Sequence, residues 1–124
     1  MRFLSRQRLQ TGAEFDAVFK RGVRLNGRLF LLVAAPNGRT FDRLGLAVSR
    51  RVGGSVERNR ARRLLRESFR RLPHAGGPGV DLVVVARADL VGRGQAEVDL
   101  ELRERVLRLK RPAAVAGAAP PPAR

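Results

Sequence analysis

A chain of 124 residues is long enough for one compact domain and too short for two with cores of their own. Its 26 Lys and Arg against 11 Asp and Glu leave a net charge of +15, and all the cations but Lys20 and Lys110 are Arg, a balance that excludes an ordinary neutral enzyme surface. A hydrophobic fraction of 44% excludes a wholly disordered basic tail, and the lack of Cys excludes a disulfide framework, a thiolate zinc site and a cysteine nucleophile.

Thr11-Gly12-Ala13-Glu14 is a capping-box pattern, and Phe15, Val18 and Phe19 recur behind it at helical spacing until Gly22 offers a stop. A first helix is therefore expected over Thr11 to Arg21. Leu29 to Ala35 is an apolar run closed by the turn signal Pro36-Asn37-Gly38, and Leu44 to Ser49 is a second run of strand character. These two are expected as neighbouring antiparallel strands, with a shorter strand over Val23 to Asn26. Gly53-Gly54-Ser55 opens a helix reaching Leu72, and His74 to Gly79 reads as a loop. Val80 to Ala86 is the most strand-like stretch, and the unbroken apolar run Leu82-Val83-Val84-Val85 inside it suggests burial on both faces. Val98, Leu102, Val106 and Leu109 mark a last helix, and residues 112–124, with Pro120-Pro121-Pro122, read as a disordered tail behind one domain of residues 1–111. The order αβββαβα describes an α+β sandwich of one sheet with helices.

No uncharged apolar run approaches the roughly 20 residues of a membrane span. The start, Met1 to Arg6, lacks the apolar stretch of a secretory signal, and a cysteine-free chain suits the cytoplasm. So large a positive charge on so small a body favours a polyanionic partner, nucleic acid or an anionic lipid surface.

The densest signal is Arg50 to Arg71, where nine Arg stand against two Glu, a local excess of +7. Ala61, Leu64, Leu65, Ser68, Phe69 and Leu72 fall within about 140° on a helical wheel, a stripe fit to pack on a sheet. Asn59, Arg62, Arg63, Arg66 and Arg70 form a ridge opposite, with Arg60 and Arg71 to one side and Arg58 at the edge of the apolar stripe. A solvated face mixes signs to gain pairs four residues apart, and clustered cations repel unless an anion neutralises them. Guanidinium groups hold phosphate through paired hydrogen bonds and stack on exposed bases, which suits structured RNA.

The stretch Gly45 to Phe69, with Arg58-Asn59-Arg60 at its centre, closely resembles the signature of the protein subunit of bacterial ribonuclease P. The resemblance extends over roughly residues 6–111, through an early Arg-Leu, Phe15, Phe19, Gly22, Arg28-Leu29-Phe30 and Val83 to Arg87. It implies a two-layer α/β sandwich with a sheet of about four strands, like the second domain of ribosomal protein S5. The implied left-handed βαβ crossover through the Arg-Asn-Arg helix is an exception to a strong rule of handedness.

The resemblance also implies a function. In this family an RNA cuts the 5′ leader from precursor tRNA by metal-assisted hydrolysis, with Mg²⁺ held mainly by that RNA, and the protein is a non-catalytic subunit. The implied partners are ribonuclease P RNA and the single-stranded leader, with no role for DNA or membrane. By the same resemblance, Arg58, Asn59, Arg60, Arg62, Arg63, Arg66 and Arg70 contact the catalytic RNA. A cleft between the first helix and the sheet holds the leader, with Phe15, Phe19 and Phe30 offering surfaces to bases and Ser49, Arg50, Arg51 and Arg87 holding the backbone. Base stacking of this kind is largely blind to sequence.

Other readings stand beside these. Asn59 is also suited to a local backbone hydrogen bond, and Phe15 and Phe19 have the spacing of core residues. The chain has no Tyr or Trp, Val33 stands where some relatives place a cleft tyrosine, and Ala88 follows Arg87 where a basic residue is common. His74, alone in a Gly/Pro loop, reads as an exposed loop residue rather than an acid or base. Glu97, Asp99, Glu101 and Glu104 read as solvated acids near a helix N-terminus rather than a metal site. The alternative function is a small basic ribosomal or other RNA-packing protein with no processing role. A DNA-reading use of the basic helix lacks the companion helix such motifs need.

Overall fold

The computed structural model describes residues 8–72 and 78–109. The capping box forms as written: Thr11 Oγ1 accepts the Glu14 N–H at 3.1 Å, and the Glu14 carboxylate accepts the Thr11 N–H at 3.1 Å, starting α1 (Gly12–Arg21). The helix ends where Gly22 turns extended, and crowding is what requires glycine there. A Cβ there would lie 2.5 Å from the Val18 carbonyl oxygen and 2.7 Å from Val33 Cγ1, while its φ of −82° is open to any residue.

Four strands follow the predicted runs: β1 (Val23–Asn26), β2 (Phe30–Pro36), β3 (Arg43–Ala47) and β4 (Val80–Ala86). Their order in the sheet is β1-β2-β4-β3. This corrects one expectation, since the runs beginning at Leu29 and Leu44 are not antiparallel neighbours. β4 lies between them, antiparallel to β2 and parallel to β3, with Leu82 opposite both Ala34 and Leu44. The physical reason is the apolar run of β4, which needs a ladder on each edge and cover on each face and so takes the centre. The parallel pairing with β3 is reached through α2 (Ser55–Arg70), which crosses over one face of the sheet.

Alternation assigns the faces. Phe30, Leu32, Ala34, Leu82, Val84 and Ala86 share a core with Ala61, Leu64, Leu65 and Phe69 of α2 and with Val98, Leu102 and Val106 of α3 (Gln95–Leu109). Val33, Ala35 and Val83 point the other way and pack under Val18 of α1 and Leu9. The α+β sandwich with a four-stranded mixed sheet is therefore present, and α1 adds a partial layer on its second face. Leu65, wholly buried, represents about 1.5–3 kcal/mol of apolar burial.

The edge of β3 is covered by the segment leading to α1, where Arg8 bridges Leu44 and the Leu9 N–H donates to the Leu44 carbonyl at 2.9 Å. An ionic network then fixes α1 to the sheet. Arg43 donates to both oxygens of Asp81, at 2.8 and 2.7 Å, and to Glu14 at 3.1 Å, while Asn37 Nδ2 donates to Asp81 at 2.8 Å. Among the described residues no helix is long and apolar enough to cross a membrane. His74 and the Pro-rich tail lie outside the described residues.

Candidate nucleic-acid interface

α2 begins where Glu57 accepts the Gly54 N–H at 3.0 Å, and its inward face is the predicted stripe of Ala61, Leu64, Leu65, Ser68 and Phe69. Burying that stripe turns the arginines outward, but they are not equivalent. Arg62 Nη1 donates to Asn59 Oδ1 at 3.0 Å, so Asn59 partners a guanidinium rather than a backbone group. Arg60 reaches the Arg93 carbonyl at 2.9 Å, and Arg58 folds back toward the Gly54 carbonyl at 3.4 Å. Arg70 is ion-paired with Glu67, and Arg71 spans Glu67 and Asp99. The C-terminal end of the ridge is thus neutralised within the protein. Hydrogen bonding from Arg70, opposed by burial and aided by Arg71, holds the Glu67 carboxyl below its ordinary range.

A second group of cations meets at the β3 edge. Arg62, Arg66 and Arg8 line a concavity of about 400 Å³ with Gln10, Phe15, Leu44 and Leu46, and no acidic residue lines it. Burial and then the positive charges of Arg8 and Arg62 push the Arg66 guanidinium below its usual pKa. Arg8, the first residue of the early Arg-Leu pair, is not among the predicted site residues. Its only local signal is its place beside Leu9, which anchors it to the sheet edge.

On the face under α1, strand register places Arg24, Val33, Val83 and Gly45 in one row and Asn26, Leu31, Val85 and Ala47 in the next. α1 covers the first row. The Phe15 ring rests against Gly45, where a Cβ would lie 2.7 Å from Cζ, and the Arg24 guanidinium stands 5.6 Å from the centre of the Phe19 ring. The second row is only partly covered, with Leu31, Val85 and Ala47 half-buried and Asn26 exposed. Beyond it, Ser49, Arg51 and Arg87 line a concavity of about 430 Å³ with Val85, Ala86 and Ala88. The result is a trough with an apolar floor, an aromatic wall and a cationic far rim.

Ser49, Arg50 and Arg51 are exposed in the turn after β3, where Ser49 Oγ accepts the Arg51 N–H at 3.2 Å. Phe15 and Phe19 are half-buried, packed against the core of the α1 face with part of each residue still accessible. Phe30 is a correction. It is fully buried on the opposite face, in the core with α2 and α3, and offers no surface to a base. Strand parity decides this, because Phe30 shares its face with Leu32 and Ala34. Arg24 and Asn26, both exposed, lie on the face under α1 instead, and their alternation with Val23 and Leu25 is the sequence signal that could have found them. Val33 is buried beneath α1.

The acids of α3 also depart from expectation. Glu97 does cap the helix start, accepting the Gly94 N–H at 3.1 Å, but Asp99 binds Ser68, Gln95 and Arg71. Glu101 accepts the Leu29 N–H at 2.9 Å. Among the described residues there is no group of three or more His, Cys, Asp or Glu that could hold a metal ion.

The contact of Phe15 with Gly45 yields a prediction. Gly45→Ala is expected to destabilise the fold by about 1–3 kcal/mol by driving a methyl group into the ring and Leu9, as read from urea unfolding. Stability equal to that of the parent would show that the ring does not rest there.

Comparison with known proteins gives a consistent result. The family model described as Ribonuclease P matches residues 3–110. The ribonuclease P protein component of an Exiguobacterium species is 40% identical over 103 residues, covering 83% of this chain and 90% of that one. That of Thermotoga maritima is 34% identical over 107 residues, covering 86% and 92%. The solved RNase P protein of Thermotoga maritima superposes with a TM-score of 0.72 at 31% identity, covering 82% of this chain and 96% of its own. The Staphylococcus aureus protein does so with a TM-score of 0.72 at 27% identity, covering 85% and 95%.

Proposed function

The chain belongs to the ribonuclease P protein family, and from that premise we propose how its two concave surfaces serve tRNA processing. It is a subunit of the ribonuclease P holoenzyme. The ridge of α2, through Arg58, Asn59, Arg60, Arg62, Arg63 and Arg66, binds the RNA subunit, with Arg70 contributing at its paired end. The trough under α1 holds the unpaired 5′ leader of precursor tRNA, with Phe15 and Phe19 beside its bases and Ser49, Arg50, Arg51 and Arg87 along its phosphates. Residues 1–111 act as one RNA-binding unit in the cytoplasm.

The bond is broken by the RNA. Mg²⁺ would supply metal-assisted phosphodiester hydrolysis there and would be held mainly by RNA phosphates. The protein's part is to neutralise phosphate, which favours the folded RNA and its metals, and to hold the leader. A mature tRNA has lost that leader and with it the second contact, so product binds less tightly than precursor.

One observation carries this reading. Phe15 both lines the concavity of Arg8, Arg62 and Arg66 and rests on the sheet beside the trough, so two cationic surfaces adjoin around a single edge strand. In the presence of the cognate RNA, tRNA carrying a 5′ extension should bind at least about tenfold more tightly than tRNA without one, the effect of a base stack or two. Equal affinities would leave an RNA-packing protein with no processing role as the better description.

A further inference from the structure

Arg87 stands at the rim of the trough but does not hold itself there. Its Nε donates to the Gly27 carbonyl at 3.2 Å and its Nη2 to Asn26 Oδ1 at 2.6 Å. Both acceptors belong to the tight turn between β1 and β2, which is closed by the Gly27 N–H donating to the Phe30 carbonyl at 2.9 Å. The Arg87 N–H donates to the Leu29 carbonyl at 3.0 Å, joining the same turn to the end of β4.

That turn is in turn fixed by α3, which packs on the opposite face of the sheet. Glu101 Oε2 accepts the Leu29 N–H at 2.9 Å, and Arg105 Nε donates to the Asn26 carbonyl at 3.2 Å. Gly27 is what lets the carboxylate in, because a Cβ at that position would lie 2.2 Å from Glu101 Oε2. A guanidinium has five N–H donors, so one that spends two on the turn keeps others for a phosphate.

We infer that Glu101 is a positioning residue for leader binding: acting through the Asn26 to Leu29 turn, it sets the Arg87 guanidinium at the rim of the trough. The inference rests on the assignment of the trough to the leader and names the device that presets its far rim. It also makes a claim opposite in sign to simple charge. Glu101 is an anion in a protein that binds a polyanion, so on Coulomb grounds its removal tightens RNA binding. Its removal as a positioning group loosens the hold on the leader.

The test uses the holoenzyme reconstituted with its cognate RNA, measuring affinity for tRNA with and without a 5′ extension across a salt series. Arg87→Ala, Glu101→Ala and Asn26→Ala are each expected to lower the gain from the extension about three- to tenfold and leave leaderless tRNA unaffected. The slope of log affinity against log salt should fall by about one, the share of one phosphate contact. Glu101→Ala combined with Arg87→Ala should be no worse than Arg87→Ala alone, and Glu101→Gln, whose amide oxygen can still accept the Leu29 N–H, should retain the gain. Asn26 is exposed, so that variant keeps the test open if Glu101→Ala fails to fold. Unchanged or tighter leader binding by Glu101→Ala and Asn26→Ala, or additive losses in the double variant, would overturn the positioning role while sparing the trough. A full leader gain in Arg87→Ala would overturn the placement of Arg87 on the leader, and the positioning role with it.

Discussion

Replacing Arg62 and Arg66 together by Ala is expected to weaken binding to the cognate ribonuclease P RNA about a hundredfold, roughly tenfold for each charge-assisted contact, and to leave the free protein at least as stable. Both residues line the concavity at the β3 edge, where Arg8 is a third cation and no acid is among the lining residues. Burial and the charges of Arg8 and Arg62 lower the Arg66 pKa, so the folded state holds that proton less readily than the unfolded chain does. At neutral pH the sign is destabilising. Removing the charge relieves the free protein and deprives the complex, a combination that core damage cannot mimic. The slope of log affinity against log salt should flatten by about two. An unchanged slope in a salt titration would mean that these two side chains do not meet phosphate.

The second large effect concerns stability. Asp81→Ala is expected to destabilise the fold by about 3–5 kcal/mol at neutral pH, because it strands Arg43, whose side chain is only 12% exposed, with Glu14 as its one carboxylate partner. Burial tends to raise the Asp81 pKa, but hydrogen bonds from Arg43 and Asn37 outweigh it and hold the group below the usual carboxylate range. Glu14 is lowered as well, first by the Gln10 N–H and then by that of Thr11, with Arg43 adding to both. A carboxyl whose folded pKa is depressed stabilises fully above its unfolded value, near pH 4, and loses that contribution as pH falls through the folded value. The parent should therefore weaken steeply below about pH 4, and Asp81→Ala should weaken less over the same range. Denaturant unfolding at neutral and acid pH checks this. Parallel loss in both proteins would remove Asp81 from the acid response.

Local patterns were the legible part of the fold. The Thr11 capping box, the apolar stripe of α2 and the run of β4 are each written within a few consecutive residues, and all three form where expected. The neighbour relation of β2 and β3 was not legible, because adjacent strands in sequence pair by default and only the fold as a whole shows β4 entering between them. The central place of β4 was foreshadowed by its burial on both faces, but not which strands it would separate.

At the interface, the outward ridge of α2 was legible from helical period alone. The division of that ridge into an end ion-paired at Arg70 and an end where Arg62 and Arg66 have no ion pair among the described residues was not, since it depends on Glu67 folding back. Phe30 was misplaced because an aromatic at the head of a strand can face either side, and only the register of the sheet fixes which. Arg24 was hidden among many arginines of similar appearance. Glu101 looked like a helix-start acid because nothing in its neighbourhood of sequence mentions the Leu29 amide it binds.

The insertion of β4 has a consequence for biosynthesis. During translation, α1, the β1–β2 hairpin, β3 and α2 all leave the ribosome before the strand that must join them, and β2 and β3 until then each lack the neighbour that both share. The nascent chain therefore carries unpaired apolar segments together with most of its arginines while still surrounded by ribosomal RNA, and the sheet closes only once Val80 to Ala86 takes its place between β2 and β3. A message truncated within α2 encodes no smaller version of this molecule. It encodes a cationic fragment whose sheet has no middle.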